Sequence, residues 1–402
     1  GKEFLWLSER DGYNHIYRYS IEGKLINQIT KGDWSLRPFG AFAMYGNGAL
    51  VGGDEKENWI YFTANEKSSI EQHLYRIKPD GNKFQRLSSE EGFHRVQFSP
   101  DGRYYVDNYS SISSMPSLNL YQGDGKLIQS LSSLRSELLG PYNFQYPAFF
   151  SITAADGFQL PAQISKPKDF DPNKKYPVII YVYGGPSAPT VNNSWNSNGW
   201  AQSIYFDQVL LNNDFLVMTF NNRASAAISK KLESLIKKQM YGDVELNDLI
   251  SAVKWLKSQP YVDSERIGIW GWSGGGTYTL LALTHTKEFK AGISVAPVTD
   301  WHYYDAKWAE CVMKRPEDNP EGYEKTSLVN AASNLNGRLL LVHGTYDDNV
   351  HIQNSWAFAN QLIANNILFD MMIYPMRQHG ISDAPARIHL YKKMLEFWRE
   401  NL

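Results

Sequence analysis

Two rhythms of apolar and polar residues divide the chain. Through about residue 135, short runs rich in aromatic and β-branched residues are broken at Asp11-Gly12, Glu22-Gly23, Asp80-Gly81, Asp101-Gly102 and Asp124-Gly125. These pairs predict hairpin turns, which need a residue at positive φ, and glycine takes that conformation without steric cost. From about residue 150, apolar runs alternate with amphipathic stretches, the pattern of a mostly parallel sheet covered by helices on both faces. The runs predict strands at Val178–Val182, Leu216–Phe220, Ile267–Trp270, Ala291–Val295, Leu339–Val342 and Phe369–Tyr374. The clearest helix is Val244–Lys257, where Leu246, Leu249, Ile250, Val253 and Leu256 recur at helical spacing before Pro260 ends it.

The first part repeats itself. Leu5-Trp6-Leu7-Ser8 corresponds to Ile60-Tyr61-Phe62-Thr63, and His15-Ile16-Tyr17-Arg18 to His73-Leu74-Tyr75-Arg76. A third copy runs from Phe98-Ser99-Pro100-Asp101-Gly102 through Leu118–Tyr121 to Gly125-Lys126-Leu127-Ile128. Repeats of this length built from short strands predict β-propeller blades, with an ordinary antiparallel sandwich as the alternative. Residues 1–140 hold two or three blades, whereas a closed propeller has about 4–8. The expectation is a partial propeller, completed by an upstream segment, followed by an α/β domain over 141–402.

Within that second domain, Gly271-Trp272-Ser273-Gly274-Gly275 fits G-x-S-x-G between a predicted strand and a helix-like stretch, Thr277–His285. This is the setting of a nucleophile elbow in an α/β-hydrolase fold. The flanking glycines are expected because side chains there would collide with neighbouring backbone. The chain order of such sites is Ser, then Asp or Glu, then His. After the strand Leu339–Val342 come Asp347 and Asp348, and after the next strand comes Gln378-His379-Gly380. Ser273 is inert until a base takes its proton, His379 is that base, and a buried acid fixes the imidazole tautomer. Asp347, nearer the strand end, is the expected acid. A tetrahedral intermediate needs donors aimed at its oxyanion. The N–H of Gly274 is one, and the loop after the strand Val178–Val182, Tyr183-Gly184-Gly185-Pro186, offers the Tyr183 hydroxyl as the other, with simple packing of the ring as the alternative.

Composition narrows the partners. Forty Lys and Arg against forty-two Asp and Glu give a net charge of −2, so no broad attraction to nucleic acid is expected. The single cysteine, Cys311, excludes an intrachain disulfide and a cysteine-built metal site. The chemistry outlined requires no metal or cofactor.

Taken together these residues resemble the prolyl oligopeptidase family of serine peptidases, and within it the dipeptidyl-peptidase IV branch. The resemblance is carried by Val182-Tyr183-Gly184-Gly185-Pro186, by Pro260-Tyr261-Val262-Asp263 through Arg266–Ser273, by Ala296-Pro297-Val298 with Trp301 and Tyr303-Tyr304-Asp305, by Pro316-Glu317-Asp318-Asn319, by His343-Gly344-Thr345 with Asp347–His351, and by His379-Gly380. It implies an exopeptidase that releases N-terminal X-Pro, or less efficiently X-Ala, dipeptides, with Ser273, Asp347 and His379 as the triad and Tyr183 completing the oxyanion hole. It further implies that Trp301, Tyr304, Trp308, Val298 and Val350 line the pocket for the proline ring and that Asn349 binds a substrate carbonyl. By analogy it implies a homodimer and a periplasmic or secreted location. Tripeptidyl, acylaminoacyl and prolyl endopeptidases of the same clan share the triad, and a catalytically inactive propeller protein is the alternative of another class.

The sequence departs from the branch at several positions. Gly274 stands where an aromatic residue is usual, Trp308 where a tyrosine is usual, and Cys311 where an arginine is usual, and Asn221–Ala226 replaces a glycine-rich segment. Gly274 removes a pocket wall, Trp308 refills part of that space while losing a hydroxyl, and together the departures predict a wider, more permissive pocket. The glutamate pair that holds the substrate's amino terminus in the family belongs to an earlier blade, and Glu90-Glu91 reads as a solvated turn.

Overall fold

The computed structural model describes residues 1–37, 48–133, 139, 142, 144–196 and 203–402. They form two compact units, one of Gly1–Tyr146, Ser187–Ser197 and Ala226–Ser234, the other of Pro147–Pro186, Asn198–Ser225 and Leu235–Leu402. The expected division at 140/141 lies outside the described residues.

The first unit contains three antiparallel sheets. They comprise β1 (Glu3–Ser8), β2 (His15–Ser20) and β3 (Leu25–Gln28); β4 (Leu50–Asp54), β5 (Trp59–Ala64), β6 (His73–Ile77) and β7 (Gln85–Arg86); and β8 (Phe93–Phe98), β9 (Tyr104–Ser110), β10 (Ser117–Gln122) and β11 (Leu127–Ser133). In every sheet each strand pairs with its neighbour in sequence, the meander of a propeller blade. The glycines of the five predicted turns, Gly12, Gly23, Gly81, Gly102 and Gly125, all adopt positive φ. The repeat also has a hydrogen-bonded counterpart. His15 Nδ1 pairs with Thr30 Oγ1 at 3.0 Å, and His73 Nδ1 pairs with Ser88 Oγ at 2.9 Å, fifteen residues onward in both cases. The same hydroxyls accept from the N–H groups of Ile16 and Leu74, so each buried histidine ties its strand to the segment that follows the next strand.

The second unit is built on one eight-stranded sheet in the order β12-β13-β15-β14-β16-β17-β18-β19. Its strands are β12 (Ala148–Thr153), β13 (Gln159–Ser165), β14 (Tyr176–Tyr181), β15 (Leu216–Phe220), β16 (Val262–Trp272), β17 (Ala291–Val295), β18 (Arg338–Gly344) and β19 (Asp370–Tyr374). All six predicted strands are present, and those from β15 through β14 to β19 are parallel. The antiparallel hairpin β12–β13 extends the sheet beyond them, turning at Asp156-Gly157 with Gly157 at φ +87°. Burial on both faces explains the continuous apolar runs: Val178 and Ile180 of β14 enter one core, Ile179 and Tyr181 the other. The helix α1 (Asp243–Lys257) buries Leu249, Ala252, Val253 and Leu256 against the first core. The C-terminal helix α2 (Ala384–Asn401) buries Leu390, Met394, Phe397 and Trp398 with Trp270 and Trp272 in the second. No helix among the described residues is long and apolar enough to cross a membrane.

Candidate active site

Parallel strands point their carboxyl ends to one edge of the sheet, where loops collect polar groups. Tyr183 follows β14, Ser273 follows β16, Asp347 follows β18 and His379 follows β19. Ser273 sits between β16 and a helix, Gly274–His285, at φ +59° and ψ −121°. This is a strained conformation for a residue with a β-carbon. Its N–H donates to the Val295 carbonyl at 2.8 Å and its carbonyl accepts from the Thr277 N–H at 3.0 Å, which holds the turn in place. The flanking glycines behave as expected. A β-carbon on Gly271 or Gly275 would collide with the carbonyl of Val182, because the turn presses directly on the end of β14. Gly275→Ala is therefore expected to lower stability by about 1–3 kcal/mol through overpacking, read as a lower denaturation midpoint with an unchanged denaturant slope.

Asp347 is buried and fully engaged. Its Oδ1 accepts from the N–H groups of Asn349 and Val350 at 3.0 and 2.8 Å. Its Oδ2 accepts from His379 Nδ1 at 2.7 Å and from His343 Nε2 at 3.1 Å. Burial alone would raise the carboxyl's pKa, but the hydrogen bonds from His343 and His379 outweigh it and hold the group well below the usual carboxylate range. An ionised carboxylate only accepts, so Nδ1 of His379 carries the proton in the neutral ring and Nε2 carries the lone pair. The Trp272 indole N–H donates to the His379 carbonyl at 2.9 Å, anchoring the histidine's backbone to the residue before Ser273.

Desolvation by the surrounding protein pushes the Tyr183 phenol up to about 12, with a hydrogen bond to Ser273 pulling the other way. The hydroxyl, protonated at neutral pH like any phenol, is held more firmly as a donor. The Gly274 N–H opens the helix after Ser273, where backbone donors have no partner within the helix.

The expected pocket residues share one apolar cluster. Val298, Trp301 and Val350 are buried in it, and Tyr304 and Trp308 pack against it, half-buried. Trp301 meets Tyr304 edge-on, with ring centroids 6.2 Å apart. The Tyr304 hydroxyl donates to Asn349 Oδ1 at 2.9 Å, which leaves the amide NH₂ of Asn349 as its donating end. Cys311 is exposed, and its thiol donates to the Lys307 carbonyl.

The widening expected at Gly274 is not what the structure shows. Tyr241 fills that space, its hydroxyl lying where a β-carbon on Gly274 would fall. Two functional neighbours besides Tyr241 escaped the sequence reading. His343 supports Asp347 while donating to the Val350 carbonyl at 2.8 Å and taking a bond from Ser355 at 2.7 Å. Trp272 occupies the variable position of G-x-S-x-G. The one available signal was a histidine four residues before the acid, at the end of the same strand.

The family model described as the prolyl oligopeptidase family matches residues 201–402, half of the chain. The chain belongs to the prolyl oligopeptidase family. A second model, the dipeptidyl peptidase IV N-terminal region, matches residues 1–116. Among curated members of this family, the chain is 33% identical over 407 residues to dipeptidyl peptidase 4 of Trichophyton tonsurans, covering 98% of this chain and 50% of that protein. It is 32% identical over 407 residues to dipeptidyl peptidase 4 of Trichophyton rubrum, with the same coverage. Of solved structures, that of Porphyromonas gingivalis dipeptidyl peptidase 4 matches all of this chain and 55% of its own at 34% identity, with a TM-score of 0.92. The chain thus spans about half the length of these prolyl oligopeptidase family relatives. Among the described residues no group of three His, Cys, Asp or Glu is arranged to hold a metal ion.

Proposed function

We propose that this chain is the catalytic portion of a serine exopeptidase that releases N-terminal X-Pro or X-Ala dipeptides through an acyl-enzyme. The observation that carries the reading is the hydrogen-bonded pair of Asp347 and His379 at the same edge of the sheet as the strained Ser273. Ser273 Oγ attacks the carbonyl of the penultimate residue while His379 Nε2 takes its proton. The oxyanion then accepts from the Tyr183 hydroxyl and the Gly274 N–H, donors whose value lies in being oriented beforehand. His379 returns the proton to the leaving amine, and the same steps with water release the dipeptide. The aromatic cluster of Trp301, Tyr304 and Trp308 suits proline, whose rigid ring gains packing with little entropy to lose. The chain's likeness to proteins named dipeptidyl peptidase 4 supports dipeptide release over the clan's other modes. A periplasmic or secreted location and a homodimer belong to the same proposal and rest on that resemblance.

The test uses the full-length protein. A fluorophosphonate should label it and fail to label Ser273→Ala. Free Gly-Pro and Ala-Ala reporters should turn over, and an N-blocked Gly-Pro reporter should not. Efficient cleavage of the blocked reporter would replace the exopeptidase reading with an endopeptidase or acylaminoacyl one. Tyr183→Phe, which retains the ring and removes only the donor, is expected to lower kcat by about 10²–10³ with little change in KM, as measured by steady-state kinetics on the Gly-Pro reporter.

A further inference from the structure

Tyr241 lies just before α1, far in sequence from every residue assigned to the site, yet three of them meet it. Its ring is buried and stacks on Trp301, with centroids 5.9 Å apart and planes 20° apart. Its hydroxyl donates to the Tyr183 carbonyl at 3.0 Å. The same hydroxyl takes the volume of any side chain at 274 and would crowd a β-carbon on Gly185 at 3.0 Å, and the ring edge would meet a β-carbon on Gly184 at 2.8 Å. Three glycines therefore clear a slot for one tyrosine.

The slot is rigid from the other side as well. Tyr241 sits at φ +55°, and its N–H donates to Glu245 Oε1 at 2.8 Å. The Gly242 N–H donates to the other oxygen of Glu245 at 3.2 Å, and the edge of Tyr278 meets the ring at 6.0 Å. A left-handed residue gripped on its N–H, its ring and its hydroxyl is over-determined in the way functional strain requires.

We propose that Tyr241 is a specificity-determining residue of this site. Its ring backs Trp301, setting the width of the pocket that receives the residue on the acyl side of the cleaved bond, and its hydroxyl fills the space beside Gly274. Its hydroxyl separately positions the Tyr183 backbone. The inference rests on the exopeptidase reading for the identity of that residue, but not for the existence of the pocket.

Two variants separate the two roles. Tyr241→Phe keeps the ring behind Trp301 and loses the bond to the Tyr183 carbonyl, so kcat should fall on Ala-Pro and Ala-Ala p-nitroanilides alike, with their kcat/KM ratio unchanged. Tyr241→Ala removes the wall, and the preference for proline over alanine should fall by about tenfold, the lower end of what one methylene's contact in an apolar pocket supplies. Active enzyme is counted by fluorophosphonate titration, so a loss of folded protein does not enter the ratio. The same ratio is read from the labelling rates of aminophosphonate diphenyl esters carrying a proline or an alanine side chain, which require the triad but no dipeptide release. A wild type that cleaves blocked reporters while the labelling ratio still falls in Tyr241→Ala would overturn the exopeptidase reading and keep the pocket assignment. A proline-to-alanine ratio that is the same in wild type and Tyr241→Ala would overturn the assignment.

Discussion

Replacing Ser273 by glycine is expected to abolish turnover and raise the stability of the fold in one step. Loss of the nucleophile should lower kcat by about 10⁶-fold, the effect of removing a serine nucleophile from such a triad. The stability gain comes from the backbone. Ser273 holds φ +59° and ψ −121°, a conformation glycine adopts freely and a residue with a β-carbon only under strain. Ser273→Ala keeps the β-carbon and therefore the strain, so it should melt with the wild type, whereas Ser273→Gly should gain about 1 kcal/mol over it. The comparison of the two inactive variants by chemical denaturation isolates the strain from the chemistry. Equal midpoints would mean that the elbow is relaxed and that its conformation is not imposed by the contacts of Gly271 and Gly275 with β14.

That strain also explains why this part of the site could be read from the sequence. An elbow that presses two glycines on a neighbouring strand leaves little choice of residue at Gly271 and Gly275, and acid and histidine must follow strand ends to reach it. Ser273, Asp347 and His379 were legible for that reason, as was Tyr183 in the glycine-rich loop after β14. The six strands were legible because both of their faces are apolar, fully buried in β14, β15 and β17 and half-buried in the edge strand β19. The hairpin β12–β13 was not, since a half-exposed pair of strands turning at Asp156-Gly157 looks like the blades that precede it. Tyr241 was invisible for a different reason. Its role depends on which residue fills a volume, and Gly274 alone reads as an empty volume until the tyrosine hydroxyl from the loop before α1 is seen in it. His343 and Trp272 act by supporting the polar residues beside them, and their apolar surroundings made them read as strand residues.

Asp347→Asn is expected to retain the fold and lower kcat by about 10⁴-fold. The carboxylate accepts from His379 Nδ1, and that requirement fixes the proton on Nδ1 and the lone pair on Nε2. An asparagine amide turned to donate to Nδ1 stabilises the opposite tautomer, whose Nε2 bears a proton and cannot take the one on Ser273. His343 need not move, because its Nε2 also donates to the Val350 carbonyl. The same substitution carries a pH signature. Asp347 is held below its ordinary value of 3.8, so it stabilises the folded state above that pH and loses the contribution as the pH falls below it. The wild type should therefore be more stable than Asp347→Asn near neutrality, and the gap should narrow on acidification below about pH 4, as followed by thermal melts of both proteins across that range. A gap independent of pH would mean that the carboxylate is not held ionised by its partners. Wild-type kcat in the variant would remove Asp347 from the reaction and move the role to Asp348, which lies one residue on but is exposed to solvent.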